Sequence, residues 1–376
     1  MDTPIPFNIP EAGEREIEAI ADAIRSGHLS GGGAISARVQ HRMRDMFGVK
    51  HVLLTTSCTH AMELALMTAG IGSGDEVIVP SFTFSSTANA IVLQGATPVF
   101  AEIEQETLNI DPADIERRIT SRTRAIMPVH YNGVGCRMDE IMALADMYGL
   151  LVIEDAAQGV GARYQGQYLG TIGHVGCYSF HGIKNITCGE GGAFLTNDEA
   201  LFHHAEIVRE KGTNRQAFLR GQVDKYTWVA RGSSYVLSDI LAVMLEAQLE
   251  RVDEITAARK AIYWRYVNGL ADLAEQGKIR LPAIPKDCES NYHLFFLRTR
   301  TIKERHELLY NLRQQRIEAT FHYVPLHSSP FGRRFCTEEL PLTERASRTL
   351  IRLPLFPRLT SEAQNRVIST VRNLKE

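Results

Sequence analysis

Between residues 50 and 200 the chain alternates short apolar runs with longer amphipathic stretches, and no other feature constrains its fold as much. Runs of strand length stand at 51–55, 76–79, 97–101, 124–128, 150–154, 175–180 and 193–196. Helical patterns at 59–69, 85–93, 112–119 and 138–148 separate the first five. Strands alternating with helices predict an α/β domain on a mostly parallel sheet. In such sheets ligands gather at the carboxyl ends of the strands. Side chains with chemistry fall there: Ser57-Cys58-Thr59, Ser81 to Phe84, His130-Tyr131 and Asp155 each follow a candidate strand.

After residue 237 the texture changes. A long helical stretch over 237–273 gives way to Leu281-Pro282-Ala283-Ile284-Pro285. A strand over 292–298 and helices over 303–314 and 361–374 follow, which reads as a smaller α+β domain. The expected division is 1–245 for the large domain and 246–376 for the small one, with residues 1–15 packing on the latter. A chain of 376 residues suits two domains. The net charge of −3 draws it to neither nucleic acid nor an anionic membrane. Neither a signal peptide nor an apolar run long enough to span a bilayer is read. The six cysteines include no Cys-x-x-Cys pair, so reduced thiols and a cytoplasmic location are expected. His203-His204 is not read as a metal pair, because adjacent helical side chains point in different directions.

The chemistry centres on Lys184. It stands in Ser179-Phe180-His181-Gly182-Ile183-Lys184-Asn185, just before Gly189-Glu190-Gly191-Gly192, and 29 residues after Asp155. Most loop lysines are merely solvated. Here apolar Phe180 and Ile183 and close glycine packing desolvate the amine and lower its pKa from about 10.4. Asp155 ends an almost wholly apolar strand, where it is either a helix N-cap or a buried carboxylate in need of a cation. A lysine for a Schiff base and an acid for a pyridine nitrogen together suit pyridoxal 5'-phosphate. Gln158 lies about one helical turn beyond Asp155 and could approach the same ligand. Ser57-Cys58-Thr59 offers either a phosphate site or a plain N-cap. Phe84 is either a stacking ring or core.

These residues resemble the DegT/DnrJ/StrS nucleotide-sugar aminotransferases, which are fold-type I, aspartate-aminotransferase-like pyridoxal phosphate enzymes. The likeness covers nearly the whole chain, through Gly27-His28-Leu29-Ser30-Gly31-Gly32, Pro80-Ser81-Phe82-Thr83-Phe84, Pro128-Val129-His130-Tyr131, Glu154-Asp155-Ala156-Ala157-Gln158, the segment from Ser179 to Gly192, and His322-Tyr323-Val324-Pro325-Leu326-His327. Residues 209–215, 220–228 and 232–235 are most similar to members that aminate C4 of a TDP-4-keto-6-deoxy sugar.

The resemblance implies that Lys184 carries the cofactor, Asp155 holds its ring nitrogen and Phe84 stacks on its face. It places Gln158 near the 3-oxygen and Cys58, Thr59 and Ser179 on the phosphate. Ser234 of a second subunit then stands where many relatives supply asparagine. His181, Ser30, His327, Lys225 and Tyr235 are implied near the sugar. L-Glutamate as amino donor and a homodimer with sites at its interface follow from the same likeness. Family members that dehydrate sugars carry histidine at the position of Lys184, so lysine favours transamination. Amination of another nucleotide-linked keto sugar, UDP-linked or at C3, and a pyridoxal phosphate-binding regulatory protein without turnover are the rival readings.

Overall fold

The computed structural model describes residues 3–27 and 29–373; His28 of the glycine-rich motif and Leu374 of the expected last helix lie outside them. A seven-stranded sheet forms the centre, in the order His51–Thr55, Gly192–Thr196, Val175–Ser179, Leu151–Asp155, Thr123–Ile126, Glu76–Pro80, Thr97–Ala101. All neighbours pair in parallel except at Gly192–Thr196, which runs against the strands on both sides. The cause is the connection. A parallel return needs a crossover, usually a helix, whereas residues 180–191 form a compact turn with none.

Helices cover both faces, as strands buried on both sides require. Cys58–Thr68 and Ser85–Leu93 pack on one face around Leu64, Ile91 and Phe194. Ala34–Phe47 and Asp239–Leu249 cover the other around Val39, Leu195 and Leu245. Gly192 permits the close approach of the start of Cys58–Thr68, since a Cβ there would stand 2.4 Å from the Ser57 carbonyl carbon.

The helical stretch expected over 237–273 is two helices, Asp239–Leu249 and Val252–Glu275. The expected division after residue 245 thus falls inside the first of them. That helix is held to the large sheet by its buried Ala242, Leu245 and Leu249. The break follows at Arg251, whose guanidinium is tied to Glu11, Glu16 and Glu254. Beyond it, a three-stranded antiparallel sheet of Ile279–Arg280, Phe295–Thr299 and Leu350–Leu353 carries the helices Val252–Glu275, Ile302–Gln314 and Ser361–Arg372. The N-terminal segment lies along this part, with Ile5 pairing with Ile317. No helix among the described residues is long and apolar enough to cross a membrane.

Candidate active site

Two adjacent residues on one strand show where the chemistry lies. Side chains alternate along a strand, so Glu154 and Asp155 face opposite ways. Glu154 is wholly buried and saturated: it accepts from Gly170 N (2.7 Å), Ile172 N (2.7 Å), Gly173 N (2.6 Å) and His130 Nε2 (2.8 Å). His130, one of the expected chemical residues, is consumed by this packing, because its Nδ1 accepts from Cys136 N at 3.1 Å. Asp155 is also buried but has only two donors on its carboxylate, Thr87 Oγ1 at 2.8 Å and Ala157 N at 3.1 Å. No ion pair reaches it among the described residues. A buried carboxylate left without countercharge is costly, and a cationic ring nitrogen would supply one.

Lys184 sits in the turn that reverses the sheet. Gly182 N donates to Gly189 O (2.8 Å), Cys188 N to Phe180 O (2.9 Å) and Lys184 N to His181 O (2.9 Å). Gly189 adopts φ +86°, a left-handed conformation that glycine reaches without strain. Asn185 anchors the turn by donating to Asn291 O at 2.8 Å. The Lys184 amine forms no hydrogen bond or ion pair among the described residues. Its side chain keeps some access to solvent, yet the protein packed around it pushes its pKa below the ordinary lysine value, chiefly by desolvation; the Arg352 charge adds to this against the opposing pull of Asp155.

The helix Cys58–Thr68 begins beside them. Ser57 caps it by accepting from His60 N at 3.1 Å, while the N–H groups of Cys58 and Thr59, in the first turn, have no carbonyl partner within the helix. Burial, and then Asp155, raise the Cys58 thiol well above its usual pKa, so it stays neutral. Thr59 Oγ1 donates to Ser86 Oγ at 2.9 Å. Ser179 ends its strand buried, with its hydroxyl at the start of the lysine turn. Phe84 leaves its ring 62% exposed at the head of the next helix, open to a flat partner. Gln158 accepts from Asn132 N (2.8 Å) and donates to Tyr323 Oη (3.0 Å).

These residues fit pyridoxal phosphate: an unpaired buried acid for the ring nitrogen, an unengaged amine for the aldehyde, and a helix N-terminus with hydroxyls for the phosphate. A profile of the DegT/DnrJ/EryC1/StrS aminotransferase family matches residues 10–372. The chain belongs to that family. It is 34% identical to S. venezuelae DesV, solved with a ketimine intermediate, over 99% of this chain and 98% of that one, with a TM-score of 0.91. It is 26% identical to the putative sugar aminotransferase Spr1654 of Streptococcus pneumoniae in its pyridoxal phosphate form, over 99% and 98%, TM-score 0.90. Helicobacter pylori PseC, an aminotransferase of pseudoaminic acid biosynthesis, matches at 25% over 99% of each chain, TM-score 0.89. The protein is therefore a pyridoxal phosphate-dependent sugar aminotransferase of fold type I.

Other expected residues of this aminotransferase lie around the group or apart from it. His181 stands within the lysine turn with its Nε2 3.4 Å from Glu190. His327 is buried against Ser81, with Nδ1 2.6 Å from Oγ, and its Nε2 lies 3.6 Å from Glu344. Tyr235 is buried with its hydroxyl donating to Glu63 at 2.8 Å. Ser30, Lys225 and Ser234 are exposed, and no hydrogen bond joins them to the group among the described residues. Thr87 and Tyr323 were missed as site residues. Thr87 follows Thr83 by one helical turn, a spacing that was on view; Tyr323 has meaning only through the fold.

Proposed function

We propose that the protein transfers the amino group of L-glutamate to C4 of a TDP-4-keto-6-deoxyhexose, giving the TDP-4-amino-4,6-dideoxyhexose and 2-oxoglutarate. The observation that carries the reaction type is a Lys184 amine without a hydrogen bond near a buried Asp155 that no ion pair reaches among the described residues. The choice of C4 and TDP is supported by the likeness of residues 209–215, 220–228 and 232–235 to members that act there.

Bound pyridoxal phosphate supplies an electron sink beside the carbon that loses its proton. Asp155 would keep its ring nitrogen protonated, and Phe84 and Gln158 would hold the ring. The Cys58 and Thr59 N–H groups and the Ser179 hydroxyl would hold the phosphate. The Lys184 amine, its pKa lowered by burial, accepts the proton from the α-carbon of the donor and later releases it, as base and then acid. In the second half it carries a proton in the opposite sense, toward C4 of the sugar. His181 and His327 lie toward the sugar. The protein acts as a homodimer, in which Lys225 and Ser234 from the second subunit help to close each site, with Ser30 at the same mouth.

The test is the visible absorption of the holoenzyme. L-Glutamate should bleach it, TDP-4-oxo-6-deoxyglucose should restore it, and NMR of the product should show nitrogen at C4. Failure of glutamate to bleach the band rejects the donor; recovery only with a UDP-linked or 3-keto sugar rejects the proposed acceptor.

A further inference from the structure

The strand Phe295–Thr299 is entered beside the lysine turn, where His293 and Ile183 line one small cavity, and its other end opens on a cluster of arginines. Arg298 on this strand stands directly opposite Arg280 on Ile279–Arg280. Residues opposite one another in an antiparallel pair share a face, and like charges there repel. Arg300, just beyond the strand, and Arg345, on the helix Pro341–Thr349, line the same cavity. Gln105, from the loop after Thr97–Ala101, lines it from the large domain. The space measures about 180 Å³, many times what one water needs.

Little negative charge answers these arginines. Arg298 is only 8% exposed, its Nε is buried without a partner, and no carboxylate pairs with it among the described residues. Burial, and then the charge of Arg280, pull its guanidinium down to about 10; Glu106 opposes this and Arg345 adds to it, so the group stays charged at neutral pH. Arg300 is engaged by Glu304 at 2.8 Å. Arg280 and Arg345 have no ion pair among the described residues, and no acidic residue among these lines the cavity. Both are exposed and can turn their heads to water. Arg298 has almost none of that access, and an unpaired buried guanidinium is costly.

We infer that this cavity is a binding site for a diphosphate, with Arg298 at its floor and Arg280, Arg345 and Gln105 around it. Guanidinium forks take phosphoryl oxygens two at a time. A single carboxylate would leave the cluster cationic, whereas a diphosphate brings several charges and oxygens at both ends. The site is separate from the phosphate place at the start of Cys58–Thr68. Because Gln105 belongs to the large domain and the arginines to the C-terminal part, a bound diphosphate joins the two. Its source is either the free inorganic anion or the diphosphate of a nucleotide.

The test is calorimetry on wild-type, R298Q and R280Q/R345Q holoenzymes, titrated in low-salt buffer with sodium pyrophosphate and separately with TDP. Wild type should bind pyrophosphate at one site per chain. R298Q should weaken it by about ten- to a hundredfold, the range for one charge-assisted contact. R280Q/R345Q, changed only at exposed positions, should weaken it by about tenfold, and it decides the matter alone if R298Q does not fold. Without the anion, R298Q should unfold at or above the wild-type temperature, since it loses an unpaired buried charge; a purely structural arginine would do the opposite. Pyrophosphate should raise the midpoint of wild type alone. A TDP affinity that falls in parallel assigns the site to a nucleotide, and one that stays assigns it to the free anion. No binding to wild type, or equal binding in both variants, overturns the inference. So does a loss of L-glutamate bleaching in step with pyrophosphate affinity, which would put the anion in the catalytic group.

Discussion

The strand ends of the large sheet around Asp155 and the wall formed by the C-terminal sheet handle polar groups in opposite ways. At these strand ends, Glu154 is saturated by four donors, and backbone bonds such as Gly182 N to Gly189 O and Cys188 N to Phe180 O close the 180–191 turn. At the wall, Arg352 Nε, His322 Nδ1 and Tyr131 Oη are buried without partners. A scaffold meets its own hydrogen-bonding demand, because an orphaned buried group costs roughly 1–3 kcal/mol. A surface that receives ligands leaves the demand open. At these strand ends Asp155 has no ion pair and the Lys184 amine no hydrogen bond among the described residues, and they are the two groups a cofactor would complete.

The comparison can be broken by substitution. Lys184→Ala should lower kcat by about 10⁴-fold or more, the upper range for losing a positioned acid–base group, while thermal unfolding stays near that of wild type. Turnover at wild-type rate would end the assignment. Asp155→Asn should lower kcat by about 10²–10³-fold, the scale of losing a charge aimed at the reacting system; steady-state kinetics checks it. Glu154→Ala leaves His130 and three amides unpaired and should cost about 3 kcal/mol in urea unfolding. If instead it unfolds like wild type, the division between scaffold and receiving surface is wrong. Thr87→Val removes one of the two donors to Asp155 and should weaken cofactor affinity about tenfold, the scale of one hydrogen bond to a charged group, as a spectroscopic titration would show.

A milder effect sharpens the same contrast. Burial disfavours the Lys184 ammonium, so its neutral fraction appears at lower pH than in an exposed lysine. In cofactor-free protein, amine labelling of Lys184 should therefore rise with pH through a midpoint below about 10.4, the ordinary lysine value. A midpoint at or above that of exposed lysines would contradict the packing described.

The large sheet was largely legible in the sequence, and the wall was not. Strands over 51–55, 76–80 and 97–101 lie where the apolar runs stand, because burial on both faces writes continuous hydrophobic runs. Lys184 and Asp155 stood out because each sits within a few residues of its strand or turn. By contrast, the break at Glu250-Arg251 has no Gly or Pro to announce it; it is made by ion pairs to Glu11 and Glu16, far away in sequence. The strand Leu350–Leu353 was not read, since it is short and runs directly into Pro354. Nothing in the sequence marks Arg352, and only the fold reveals its buried place beside His322, Tyr323 and Arg259.

The most direct test of the central claim is to reduce the holoenzyme with borohydride, digest it and locate the pyridoxyl group by mass spectrometry. The account predicts a single modified peptide, carrying the added mass on Lys184. A label on another lysine, or none on protein that has bound the cofactor, would contradict it.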